Sequence, residues 1–274
     1  MKVLISTDIE GVAGVFHHEQ VRAGNPEYER ARLLMTHEAN AAIAGAFDAG
    51  ATEVLVNDSH GSFRNMPPEL LDARAQAVMG KPRYLSMMAG VDDGVDAVCM
   101  VGYHSRAQGR GILAHTINSF AFARVYFNGI ELGEAGIYGA LAGEYGVPVV
   151  MASGDDVFIE EHRPLFPHAT FVQTKRATGQ TSGISLSPAQ ACAATPTRWH
   201  RAARPALMCC RAPSPCASRP SRRRWPTCFA SGRPCGGWRG TRSALTRLPW
   251  RPRCAWSTAC RPCPACCARS CLPP

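Results

Sequence analysis

Lys2-Val3-Leu4-Ile5-Ser6-Thr7-Asp8-Ile9-Glu10-Gly11 is the stretch that decides the fold. A short apolar run closed by an acidic, glycine-ended turn reads as a buried strand, and two carboxylates leave its end. The same grammar recurs further along the chain. Thr52 to Asn57 is β-branched and apolar and runs into Asn57-Asp58-Ser59-His60-Gly61, while Ala97 to Gly102 is apolar and runs into Gly102-Tyr103-His104. Val147 to Ala152 is a fourth strand and Phe171 to Thr174 a further one. Pro26 opens a helix through Ala49 that Gly50 ends, and a second helix spans Glu134 to Glu144 and stops at Gly146. Arg124 to Phe127 and Ile130 to Leu132 flank Asn128-Gly129, a strong short-range hairpin signal. Continuous apolar strands alternating with helices predict an α/β fold with a mostly parallel sheet flanked by helices.

Ligands of open parallel sheets sit beyond the carboxyl ends of the strands, so the residues delivered there carry the functional reading. Asp8 and Glu10 are two positions apart, as are Asp58 and His60, and in extended backbone that spacing aims both side chains to one side. One such strand end would be ordinary turn chemistry. Three of them, ending in carboxylates and the imidazoles of His60 and His104, give the donor mix of a first-row divalent ion, zinc above all. Unpaired, the acids would repel one another, which makes a cation their natural partner. Glu134 and His115 are further candidates; their plain readings are a helix-start carboxylate and a core-edge imidazole.

Other features carry less. Gly11-Val12-Ala13-Gly14 lacks the dinucleotide glycine pattern, and Ser59 and Ser105 lack a nucleophile elbow. His17-His18 and Asp92-Asp93 read as solvated, and Gly154-Asp155-Asp156 as a helix cap. No run of about 18 apolar residues is present, so no membrane span is expected. Met1-Lys2 runs directly into the first strand, too short for a signal peptide, and Cys99 is the one cysteine before position 192, so a reduced, cytoplasmic setting is expected.

Composition divides the chain. Up to Ala191 there are 14 basic and 21 acidic residues; beyond it there are 16 arginines and no acid at all, so the overall +9 averages two unlike parts. The later part also holds 12 of the 13 cysteines and all five tryptophans, and it has no Val, Ile, Tyr, Asn or Gln. Arg-rich composition suggests a nucleic-acid arm, and Cys260, Cys263, Cys266 and Cys267 suggest a zinc module, but no second cysteine pair stands at a finger's separation. The stronger reading takes the tail as translation of a GC-rich gene in a non-native frame entered near Ala191 to Ala194, because apolar periodicity ends at Gln190. The expected organisation is therefore an incomplete α/β domain at 1–191 and an aberrant, disordered Arg, Pro and Cys-rich tail at 192–274.

The motifs carry a resemblance. Ser6-Thr7-Asp8-Ile9-Glu10-Gly11, Glu29-Arg30-Ala31-Arg32-Leu33-Leu34-Met35-Thr36, Glu53-Val54-Leu55-Val56-Asn57-Asp58-Ser59-His60, Gly102-Tyr103-His104, His115, Gly133-Glu134, Gly154-Asp155-Asp156 and Ser187-Pro188-Ala189 resemble, in this order, the zinc-dependent D-aminopeptidase family, peptidase family M55. The resemblance covers about residues 1 to 191. It implies a hydrolase that removes N-terminal D-amino acids from short peptides, with Asp8, Glu10, His60, His104 and Glu134 binding two zinc ions and His115 catalytic beside them. Asp58 is expected behind His60, orienting it. The resemblance also implies homo-oligomeric rings, often decamers, and a last third of ordinary α/β sequence where this chain has its tail. Without that third, sheet edges and apolar faces would stay uncovered. Two rival functions are a binuclear-metal phosphohydrolase, for which Arg106 is the nearest cation, and a tail-driven nucleic-acid-binding product without catalysis.

Overall fold

A computed structural model describes residues 1–195; residues 196–274 lie outside the described residues, and with them almost all of the expected tail. The elements in chain order are β1 (Lys2–Thr7), α1 (His18–Val21), α2 (Pro26–Asp48), β2 (Glu53–Asp58), β3 (Gln76–Val78), β4 (Ala97–Val101), β5 (Tyr126–Phe127), β6 (Ile130–Glu131), α3 (Glu134–Glu144), β7 (Val149–Asp155), α4 (Asp156–His162), β8 (Thr170–Gly179) and β9 (Ser182–Ser185). Residues 188–195 are helical, so regular structure continues across the composition break at residue 192.

The main sheet has seven strands in the order β3-β2-β1-β4-β7-β8-β9, and every pairing except β8 with β9 is parallel. Both faces are covered, and the strand residues alternate between two cores. Val3 and Ile5 of β1, Val54 and Val56 of β2, and Ala97, Cys99 and Val101 of β4 enter one core; Leu4, Leu55, Val98 and Met100 enter the other. Helix α2 covers the first face with a small-residue stripe, Tyr28, Ala31, Met35, Ala39, Ala42 and Ala46, recurring every three or four positions. It starts where the Asn25 side chain accepts a hydrogen bond from the Tyr28 amide and Pro26 presets the first turn. Helices α3 and α4 supply Ala135, Ala142, Phe158 and Ile159 to the second core.

Chain direction places the site. From β1 the chain moves outward through β2 to β3, then returns to the other side of β1 and moves outward through β4, β7 and β8. The strand order therefore reverses between β1 and β4, and crevices open at such switch points. Register sharpens this: Thr7 pairs with both Asp58 and Val101, so three strands end level and release their loops at one height.

The sequence expectations for β1 and α3 match in full, and the hairpin forms around Asn128 and Gly129. Strand β8 is longer than expected, ten residues, because its polar second half pairs antiparallel with β9, which the sequence pattern did not suggest. Strand β3 was also not expected; it is a three-residue edge strand, exposed and without an apolar run.

Candidate metal centre

The turn after β1 is pinned to the turn after β4 by backbone contact. The Asp8 amide donates to the Val101 carbonyl at 2.8 Å and the Gly11 amide to the Gly102 carbonyl at 2.7 Å. A Cβ on Gly11 would overlap the Tyr103 carbonyl, and one on Gly102, whose φ is +71°, would overlap that of Asp8. Glycine at both positions is what lets the loops close this far. Behind Glu10, the buried Lys175 ammonium donates to the carbonyls of Glu10 and, at 2.6 Å, Val15, and so holds the rest of the β1 turn.

The side chains these turns carry converge. His60 Nδ1 lies 3.3 Å from Asp8 Oδ1 and 3.1 Å from Glu10 Oε2. His104 Nε2 lies 3.4 Å from Asp8 Oδ2 and 3.5 Å from Glu134 Oε1, the latter reaching in from the first residue of α3. His115 Nε2 stands 3.6 Å from Glu134 Oε1 and 4.0 Å from Glu10 Oε1, and its ring stacks on that of His104 with centroids 4.1 Å apart. Donor atoms of Asp8, Glu10 and His104 fall within 4.8 Å of one another, as do those of His104, His115 and Glu134.

Each imidazole is tied down from outside. His60 Nε2 bonds the Val21 carbonyl at 2.8 Å, His104 Nδ1 the Ser105 carbonyl at 2.9 Å, and His115 Nδ1 the Leu113 carbonyl at 2.9 Å. A carbonyl can only accept, so each outer nitrogen carries the proton, and in the neutral ring the inner nitrogen presents a lone pair to the carboxylates. Lone pairs facing anions repel, unless a cation lies between them. The orphaned atoms agree: of five buried side-chain polar atoms without a hydrogen-bond partner among the described residues, three are Asp8 Oδ2, Glu10 Oε2 and His104 Nε2. Glu10 Oε2 is thus close to His60 Nδ1 without being hydrogen-bonded to it. The donor set and its fixed tautomers fit a divalent ion of the zinc type.

Electrostatics report the same frustration. Burial disfavours an imidazolium at His60 and at His104, yet Glu10 and Asp8 around the first and Glu134 and Asp8 around the second raise both pKa values well above the ordinary. Burial and the neighbouring Glu10 push the Asp8 carboxyl up. Burial opposes ionisation of Glu10 and Glu134 too, but His60 and His104 respectively outweigh it and hold both acids down. Each acid of the cluster is thus set against an imidazole across it.

All the residues expected at the centre from sequence lie in it or against it. Asp58 lies behind it by a different route from the one expected. Its carboxylate accepts from the Asn65 and Met66 amides and the Asn65 side chain, and Asn65 in turn donates to the His60 carbonyl at 2.7 Å, so Asp58 fixes the backbone of His60 while Val21 fixes the ring. Asp155 caps α4 by accepting from the Phe158 amide and, with its other oxygen, holds the Ile112 amide at 2.7 Å, anchoring the loop that carries His115. Arg106, the nearest cation by sequence, is paired with Glu161 at 3.0 Å, and the pocket's cations are instead Arg22, Lys81 and Arg83. No motif marked these, nor Asn65.

A parallel-sheet α/β protein with a buried carboxylate and imidazole cluster at its switch point defines a class, the metal-dependent hydrolases of this architecture. Within it, this chain belongs to the D-aminopeptidase family of peptidases, M55, whose model matches residues 1–218. It is 40% identical over 191 residues to a D-aminopeptidase of Bacillus subtilis (strain 168), a match covering 70% of this chain and 69% of that protein. Its fold is similar to that of the Zn-dependent D-aminopeptidase DppA from Bacillus subtilis, a self-compartmentalizing protease, with a TM-score of 0.73 and 36% identity over 75% of this chain and 74% of that one.

Proposed function

We propose that this chain is a zinc-dependent aminopeptidase that removes N-terminal D-amino acids from short peptides. The observation that carries the reading is the set of three imidazoles whose inner nitrogens, fixed by outer carbonyl bonds, face buried carboxylates at 3.1 to 4.0 Å. Asp8, Glu10, His60, His104 and Glu134 are the proposed ligands of two zinc ions. Bound zinc supplies Lewis acidity, which activates water near neutral pH and polarises the scissile carbonyl. His115, on the more open side of the cluster with 21% of its side chain exposed, moves the proton through Nε2 to the leaving amine. The acidic inner end of the pocket receives the substrate's terminal ammonium, which favours an exopeptidase over an endopeptidase.

Assembly into a homo-oligomer, a decamer by resemblance, is part of the proposal. Phe120, Phe122, Tyr126, Phe127 and Ile130 are all exposed within one segment beside the pocket, more apolar surface than a solitary chain needs. The setting proposed is the cytoplasm. No helix among the described residues is long and apolar enough to cross a membrane, and Cys99 is buried as a free thiol. The test is hydrolysis of D-alanyl-D-alanine against L-alanyl-L-alanine by the full chain, with metal analysis. Turnover of the D-peptide, abolished by chelator and restored by zinc, with about two zinc per chain, is expected; equal turnover of both peptides, or chelator-resistant turnover, refutes it.

A further inference from the structure

A cavity of about 620 Å3 opens in front of the cluster, and its charges are sorted. Among its lining residues Asp8 and Glu134 are buried, whereas Arg22 and Lys81 are exposed and Arg83 half-buried, with Lys81 and Arg83 over the Phe63 ring. The three cations are not equivalent. Arg83 is spent on the fold: its Nε donates to the Ser86 carbonyl at 2.9 Å, Nη1 to that of Val78 at 3.1 Å and Nη2 to that of Asp58 at 2.7 Å, with the guanidinium 4.0 Å over the Phe63 ring. Arg22 is 71% exposed and leans toward Glu19 at 3.6 Å. Lys81 has no carboxylate within ion-pair distance among the described residues. Its ammonium donates to the Gly61 carbonyl at 2.7 Å and lies 5.4 Å over the Phe63 ring. An ammonium has three donors, so two remain for whatever enters the pocket. Gly61 follows His60, which fixes this charge one residue along the chain from a member of the metal cluster.

We propose that Lys81 anchors the free C-terminal carboxylate of a short peptide whose terminal ammonium lies at the acidic end of the same pocket. The inference rests on the aminopeptidase reading and adds to it the feature that selects substrate length and end group. A peptide of two or three residues is a zwitterion with its charges separated by about 3.3 to 3.6 Å per residue. A pocket with acids buried in its lining and an unpaired, exposed cation matches that order of charge. The carboxylate gains charge-assisted hydrogen bonds from Lys81, and an amidated end forfeits the ionic part of them. A longer chain carries its carboxylate past the anchor.

The experiment compares D-alanyl-D-alanine with its C-terminal amide on the zinc-loaded full chain, unsubstituted and as Lys81→Gln and Lys81→Arg. The unsubstituted protein is expected to favour the free acid by about tenfold or more in kcat/KM, through KM. Lys81→Gln should bring that ratio close to one and Lys81→Arg should keep most of it. An acid-to-amide ratio in Lys81→Gln equal to that of the unsubstituted protein overturns the anchor. If neither peptide is cleaved, the aminopeptidase reading falls, and the anchor is then judged by calorimetry of the dipeptide on the metal-free protein. Weaker binding to Lys81→Gln supports it, and an unchanged Kd overturns it.

Discussion

His104 and His162 are equally buried, each 1% exposed, and their imidazoles are pushed in opposite directions. His104 stands at the carboxyl end of the sheet among Asp8 and Glu134, which raise its pKa well above the ordinary against the effect of burial. His162 ends α4 between Phe158 and Phe166, with ring centroids 4.4 and 6.1 Å away, and there burial pushes its pKa down to about 4. On the opposite face of the sheet, burial pushes Glu38 up to about 7, partly offset by the Ala13 amide and Lys175. The lesson concerns what makes a site: burying an ionisable group by itself favours its neutral form, whereas burying several with their free atoms aimed at one point creates a demand for a cation.

The largest effect that could break this comparison is in metal content. His104→Ala should lose at least about 100-fold in zinc affinity, whereas His162→Gln should keep the metal content of the unsubstituted chain. Equal zinc loss in both variants, measured on purified protein, would show that burial and not convergence governs the site. A smaller effect sharpens the comparison in stability. His162 has a depressed folded pKa, so its contribution is full above about 6.5 and is lost as pH falls toward about 4; Glu38 has a raised one, so its contribution is full below about 4.5 and is lost as pH rises through about 7. Each is worth roughly 3 kcal/mol at full development, and the two slopes oppose each other between pH 4.5 and 6.5. Urea midpoints across this window should therefore fall more steeply with acid in Glu38→Gln, and less steeply in His162→Gln, than in the unsubstituted protein; parallel curves for all three would contradict both assignments.

Much of the molecule was legible because its sheet is buried on both faces. Lys2 to Thr7 could scarcely be anything but an inner strand, and the i, i+2 spacing of Asp8 and Glu10 announced convergence before the neighbouring strands were known. His115 was legible only through resemblance. Its position depends on Asp155 holding the Ile112 amide and on the Gln180 carbonyl accepting from Leu113, contacts from the end of β7 and the turn after β8, far later in the chain. The long second half of β8 was hidden for a related reason: it carries no apolar run, and its Lys175 ammonium is satisfied inside only by the distant carbonyls of Glu10 and Val15. Lys81 and Arg83 were invisible as pocket residues because no periodicity marks the irregular segment between β3 and β4.

The touching backbones at Gly11 and Gly102 have a consequence for how this centre can vary. Any side chain at either position would act as a wedge, driving the turn that bears Asp8 away from the one that bears His104. The gap between those donors is set like the jaws of a caliper, by main chain in direct contact. Chemistry at the jaws can therefore be exchanged one donor at a time, while the two glycines that set the opening leave substitution nothing to work with.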